Sequence, residues 1–440
     1  LLTVSGAETV TGGTGADTII MGTAISGGAI DLGAGSDALT LSSAGANTLT
    51  LGASIETLTG GTAADSITLS AAVTGMIVNL GAGTAADTLT LADGTNTVSA
   101  ANIETITGGT GDDTITLTAA QTGGTINLGA GADQLNLAAA GGTVTASNVE
   151  SVAGGSGADV ITFGAAISGA TVTLGAGTDS LTLAAGGNTV TVTAAETVTG
   201  GSGDDDVTLG AALSGGTINL GAGTGDELTL ANGTNLLTVS GAETVTGGTG
   251  ADTLVFSAAA TGSTLNLGAG SDILTLSSAG ANDVTVSNVE RVNGGTAADT
   301  ITATGSTAIV MVGGDGNDVM VGGSGNDQLT GGNGVDTMTG GSGNDRFLWS
   351  AAAQSPAAGG DTVTDFTVAN DLLIFTGLQT GTFNFIGSDT LTATGNSQAR
   401  FNDTTKLLSI DTNGDGNSDI SITLTGVSLG DLNSGHFLWT

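Results

Sequence analysis

The 440-residue chain contains no cysteine, no tyrosine, one proline and only four basic residues. Each scarcity removes a class of function. Without cysteine there are no disulfides, no thiol nucleophile and no thiolate metal site. With one proline (Pro356) among 79 glycines, collagen-like structure is excluded, since it needs abundant proline beside glycine at every third position. Arg291 is the only base before Arg346, so most of the chain has no basic patch for nucleic acid. The single histidine, His436, lies four residues from the end, which argues against nucleophile–base chemistry. No apolar run approaches the length of a membrane-spanning helix. Aromatics make up 2% of the chain and are concentrated at its C-terminal end.

What is abundant is acid and glycine. There are 41 Asp and Glu, giving a formal net charge of −37. Such an imbalance often means disorder. Here, however, 39% of residues are hydrophobic and mean hydropathy is +0.31. The apolar residues are Val, Ile and Leu alternating with Thr, which is the chemistry of strands. A chain both this acidic and this apolar needs counter-charge to pack, and divalent cations are a compact source of it.

Internal repetition points to the fold. A segment of the form E-T-V-T-G-G-T-G-A-D recurs with its glutamate at Glu8, Glu56, Glu104, Glu150, Glu196, Glu243 and Glu290. The period is about 47 residues, in the range that marks stacked repeat architectures. Each period contains a second turn, L-G-A-G followed by an acid, at Asp37, Asp87, Asp133, Asp179, Asp226 and Asp272. Between turns lie short alternating runs such as Thr217 to Leu220, in which Ile218 and Leu220 share one face. One repeat cannot bury that face alone, but stacked coils can. The expected fold is all-β, a right-handed parallel β-solenoid, with two coils per period and each strand beside its equivalent one coil along. Leu1 to Thr18 repeats Leu236 to Thr253 letter for letter, so the chain opens within a repeat and is expected to be a C-terminal piece of a longer protein.

From Gly313 the beat shortens to nine residues: GGDGNDVMV, GGSGNDQLT, GGNGVDTMT and GGSGNDRFL, ending at Leu348. Glycines permit positive φ and turn carbonyls inward, and Ca²⁺ takes six to eight oxygens from carbonyls and carboxylates. The eighth position (Met320, Leu329, Met338, Phe347) is apolar and points to a core. This block resembles the RTX (repeats-in-toxin) family, whose nonapeptide is G-G-x-G-x-D-x-U-x. The resemblance implies a calcium-binding β-roll whose ions sit between every second turn, pairing Asp318 with Asp336 and Asp327 with Asp345. The implied ligand positions are Gly313, Asp315, Gly316 and Asp318; Gly322, Gly325 and Asp327; Gly331, Asn333, Gly334 and Asp336; and Gly340, Gly343 and Asp345. The alternative is a Gly-Asp turn that needs no metal.

Upstream, the GGxGxD pattern nominates Asp17, Asp113, Asp159, Asp205 and Asp252, while Asp65 and Asp299 sit in copies that lose the third glycine. The L-G-A-G acids Asp37, Asp133, Asp179 and Asp272 are further candidates. The recurrent glutamates are read as solvated or ladder-forming corner residues, with a ligand role as the alternative.

After Arg346 the composition shifts. Seven of nine Phe and both Trp follow it, as expected of a cap sealing an open end. Gly360 to Phe366 and Asn370 to Phe375 look like the region following RTX arrays, which implies an uncleaved type I secretion signal in bacteria and a place outside the cell or on its surface. In D-T-N-G-D-G-N-S-D, Asp411, Asn413, Asp415 and Asp419 resemble the first part of an EF-hand loop, but its twelfth position is Ile422. A plain hairpin turn is the alternative. Three regions are expected: the long-period solenoid over 1–312, the nonapeptide β-roll over 313–348 and a small β cap with the secretion signal over 349–440.

No HExxH motif occurs, and the sequence offers no catalytic residue and no cofactor other than calcium. The expectation is a structural, non-enzymatic protein: a surface-layer, filament or matrix component whose partners are further copies of itself and cell-surface polysaccharide. Its alternative is an adhesin stalk or ice-binding module using an outward Thr-rich face, as in Thr189 to Thr193.

Overall fold

The computed structural model describes residues 1–83 and 86–440. They form two compact units, Leu1–Ala211 with Leu220–Gly223, and Ala212–Asn219 with Thr224–Thr440. Among the described residues the helical elements are three short 3-10 turns, all beyond Ser350, and everything else regular is strand.

In the first unit the chain alternates between two parallel sheets. Thr97–Ala101 lies between Thr74–Asn79 and Thr114–Leu117 in one sheet. Thr88–Thr90 lies between Ser66–Leu69 and Thr105–Thr107 in the other. Alternation does the sorting: in Thr88-Leu89-Thr90 the leucine is fully buried and both threonines face outward. Leu89 stacks on Ile67 and Ile106, and Ile106 on Ile126, all with 0% exposure. Each such side chain contributes about 1.5–3 kcal/mol of burial.

The two-coil expectation is corrected. One period holds five strands, Thr57–Thr59, Ser66–Leu69, Thr74–Asn79, Thr88–Thr90 and Thr97–Ala101, before Thr105–Thr107 opens the next. Five strands over two sheets make two and a half coils. The strand after Glu56 therefore lies in one sheet and its counterpart after Glu104 in the other. Strands also stack on non-equivalent neighbours: Leu58 pairs with Leu39 and Val78, not with Ile106. The reason is the length of chain that one coil consumes. Asn96 bonds to Asp113 one coil on, a separation of 17, and Asp65 to Asp87, a separation of 22. A period of about 47 residues is too long for two such coils and too short for three.

In the second unit the same pattern runs through the nonapeptides. Met311, Leu329, Phe347 and Leu373 form one inner column, and Ile301, Met320, Met338 and Val363 the other. The parallel stacking then stops. Ile420–Leu424 pairs in parallel with Asp361–Val363 but antiparallel with Leu407–Asp411, which pairs antiparallel with Gln398–Asn402. Beside it Trp349, Phe375 and Trp439 stack at centroid distances of 5.4 and 4.8 Å. A hairpin and an aromatic stack thus cover an edge that would otherwise stay open to another strand.

Candidate metal-binding corners

The strand alternation carries each nonapeptide aspartate into the wall of a turn. Asp318, Asp327, Asp336 and Asp345 are each 1% exposed. The Asp318 N–H donates to Asp336 Oδ1 at 2.8 Å, and the Asp327 N–H to Asp345 Oδ1 at 2.9 Å. The structure therefore stacks the carboxylates of every second nonapeptide, Asp318 with Asp336 and Asp327 with Asp345. The other oxygen of all four is buried and has no hydrogen-bond partner. Glycine is required where they pack: a Cβ on Gly331 would meet Asp336 Oδ2, and Gly334, at φ +150°, lies against the Gly316 carbonyl. The same crowding holds at Gly313, Gly322 and Gly340 against their own aspartates, and at Gly316, Gly325 and Gly343 against carbonyls one coil back. The third-position residues Asp315 and Asn333 face outward, Asn333 Nδ2 donating to Asp315 Oδ1 at 2.7 Å.

Packing charge this tightly has an electrostatic consequence. Burial, then the neighbouring carboxylates, pushes Asp318 up to about 7 and Asp327 up to about 6. Asp336 and Asp345 are raised mainly by burial. Buried carboxylates with an unpaired oxygen are what a hard cation neutralises. Among the described residues no three Asp, Glu or His side chains converge as a metal cluster. A cation here would therefore draw on stacked carboxylates together with backbone carbonyls, and the donor set fits Ca²⁺.

Two members of these columns were not singled out from the sequence. Asp336 N–H donates to Asp361 Oδ1, whose Oδ2 accepts from Trp349 Nε1, and Asp345 N–H donates to Asp371 Oδ1. Asp361 and Asp371 thus end the two columns inside the cap. Their signal was present in Gly360 to Phe366 and Asn370 to Phe375, but without the nine-residue spacing.

Upstream the same corners build a longer ladder. Asn96 donates through N and Nδ2 to Asp113 Oδ1, Asp113 N–H donates to Asp133 Oδ1, and Asp133 N–H to Glu150 Oε2. On the opposite edge Asp159 donates to Asp179 Oδ1 and Asp179 to Glu196 Oε2. Asp17 donates to Asp37, and Asp37 to Glu56. In the second unit Asn235, Asp252, Asp272 and Glu290 repeat the order. Asp205 accepts from Asn188 N and Nδ2 and from Gly201 N. Asp65 and Asp299 occupy the same rung despite the missing glycine: Asn47 donates to Asp65, and Asn282 to Asp299. The asparagines, buried at 0 to 2% exposure, went unread in the sequence although they recur along it. The glutamates are ladder-forming.

The C-terminal loop behaves differently. Asp411 accepts Gly414 N–H and Gly416 N–H, and Asp419 accepts from Thr412 and Asn413. Asp415 accepts from Asn417, and Asn413 from Asp415. These four side chains hold the turn of a hairpin. His436 is engaged in the cap, its Nδ1 accepting from Asn433 N–H and its Nε2 2.9 Å from the Val368 carbonyl.

Comparison with known proteins adds two family matches. The model for the RTX calcium-binding nonapeptide repeat (4 copies) matches residues 3–20, 100–118 and 238–255, all spanning the GGxGxD corners of the long repeat. The model for the Peptidase M10 serralysin C terminal matches residues 250–433, which include the strict nonapeptides and most of the cap. No curated protein matches. Among solved structures, the AlgE6R2 subunit from the Azotobacter vinelandii mannuronan C5-epimerase is 25% identical over 34% of this chain and 92% of its own, with a TM-score of 0.26.

Proposed function

The chain belongs to the RTX family of calcium-binding repeat proteins, and from that premise we propose that it is an extracellular structural component. In this reading it leaves a bacterial cell by type I export, folds on meeting external calcium and assembles with copies of itself into a surface layer, filament or matrix. The observation that carries the reading is the set of buried aspartate oxygens without a partner at corner after corner. Such a chain is self-repelling where calcium is scarce and neutralised where it is plentiful. Asp318 with Asp336, and Asp327 with Asp345, would hold the ion together with glycine carbonyls. The bound ion would supply the positive charge that the sequence lacks.

The matched segments are repeats and a C-terminal domain, with no catalytic domain among them. Corners repeated in the same form along the chain suit a scaffold. Electron microscopy of the purified chain tests the assembly role: ordered sheets or filaments are expected in calcium and none in chelator. Dispersed single particles in both would sink it.

A second reading has its own observation. In the first unit an unbroken outward row of hydroxyls runs Ser26, Thr48, Ser66, Thr88, Thr105, Thr125, Thr145, Thr162, Thr182 and Thr199 in strand register. A row spaced by strand separation, about 4.8 Å, is the kind of surface that could order water or lie along a polysaccharide. Thermal hysteresis of the chain would support ice binding, and its absence would leave the row as ordinary solvated strand face.

A further inference from the structure

We propose that the second unit carries two complementary docking faces, the arginine-bearing outer face of one sheet seating on the acid-bearing outer face of the other sheet in a second copy of the chain. The proposal rests on the self-assembly reading above and names the surfaces that would carry it.

The repeat is nearly uniform where it faces outward, and its charged exceptions are few. The residue after the recurrent glutamate is Thr9, Thr57, Thr105, Ser151, Thr197 and Thr244, then Arg291. The seventh nonapeptide position is Val319, Gln328, Thr337, then Arg346. After the buried asparagine stand Thr48, Thr97, Thr189 and Leu236, then Asp283. After the L-G-A-G acid, Glu227 is the one charged residue. These four charges sort by face.

The sheet with Met311, Leu329 and Phe347 inside turns outward a column from Leu236 through Ile273, Arg291, Val310 and Gln328 to Arg346. The column beside it, from Thr238 to Thr330, adds Val255 and Val312. Neither column holds an acid. Both arginines are exposed and stand three strands apart, about 14 Å at strand spacing. Among the described residues the one ion pair is Lys406 with Asp403, so neither arginine has an acid partner of its own. Leu236, Val255 and Ile273 are exposed as well. Apolar residues with Arg and without acid are the composition of an interface core.

The other sheet, with Ile301, Met320 and Met338 inside, turns outward Glu227 and Asp283. They too are exposed and three strands apart, Asp283 one column over from Glu227. Exposed Val319 follows two strands past Asp283, and no base stands in either column. Equal spacing lets both arginines of one copy meet an acid of the next. A contact between unlike faces leaves one of each kind free, so it propagates into a filament or layer. Solubility alone would be served by further acids, whereas two arginines lower the net charge of −37.

The test uses the full chain in calcium, with association read by sedimentation velocity and electron microscopy. Arg291→Glu with Arg346→Glu, and separately Glu227→Arg with Asp283→Arg, should each weaken association about tenfold or more. The second pair is decisive, because it lowers the net negative charge and would strengthen association if overall repulsion governed it. All four substitutions in one chain restore matched faces and should restore assembly. Arg291→Thr with Arg346→Thr, which returns the commoner residue type of the repeat, should also weaken association while leaving the circular dichroism spectrum unchanged. Undiminished assembly of the Glu227→Arg, Asp283→Arg chain or of the Thr variant overturns the proposal and leaves the assembly reading standing. Undiminished assembly of the arginine variants with lost binding to polygalacturonate would give the face to an anionic polysaccharide and overturn it too. Single particles from the unsubstituted chain would overturn it together with the assembly reading.

Discussion

At the scale of single residues, each unit carries columns of carboxylates held by backbone amides. Asp113, Asp133, Asp318, Asp336 and Asp345 each use one oxygen to accept an N–H from the coil before and bury the other without a partner. The pH dependence of the metal-free chain follows. Asp133 and Asp327 are pushed up to about 6 and Asp318 to about 7, chiefly by burial. A group whose pKa is raised on folding binds more protons folded than unfolded. Its contribution is fully present below the unfolded value and is lost as pH rises through the folded one. The metal-free chain should therefore gain β-structure as pH falls from about 8 to about 5.5. In saturating calcium the ligands are needed ionised, so the same acidification should release the ion and destabilise. Circular dichroism in the two conditions checks the opposite signs. Gly331→Ala places a methyl against Asp336 Oδ2 and should weaken calcium binding measured by titration calorimetry. A matched Gly52→Ala, where a Cβ meets nothing within 4 Å and φ is not positive, should leave calcium affinity unchanged.

At the scale of elements, alternation was legible because it is local. Thr-Leu-Thr places one apolar side chain inside wherever it occurs. The glycine–aspartate corners were legible for the same reason, since their spacing is short and strict at Asp318, Asp327, Asp336 and Asp345. Coil number was not, because it depends on how many residues a turn consumes, and the alternation repeats at every second position in any coil. Asn96 and its equivalents escaped because a lone asparagine before a strand has many uses. Only the stacked Asp113 one coil away shows why it is buried. Asp361 and Asp371 escaped because their rungs lie 25 and 26 residues past their partners. The inner columns make a separate prediction. Leu329, stacked between Met311 and Phe347 with 0% exposure, should cost about 2–5 kcal/mol when replaced by Ala. Chemical denaturation in calcium measures it.

At the scale of the whole chain, net charge of −37 and an apolar interior oppose each other until cations intervene. Hydrophobic columns give the coils a reason to stack, while the acid ladders at their corners resist stacking. Calcium reverses the sign of the second term and leaves the first untouched. The most direct test is far-ultraviolet circular dichroism of the metal-stripped chain at neutral pH during calcium titration. A cooperative gain of β-signal, reversed by chelator, is the expected result. A full β-spectrum in chelator that calcium leaves unchanged would contradict the account.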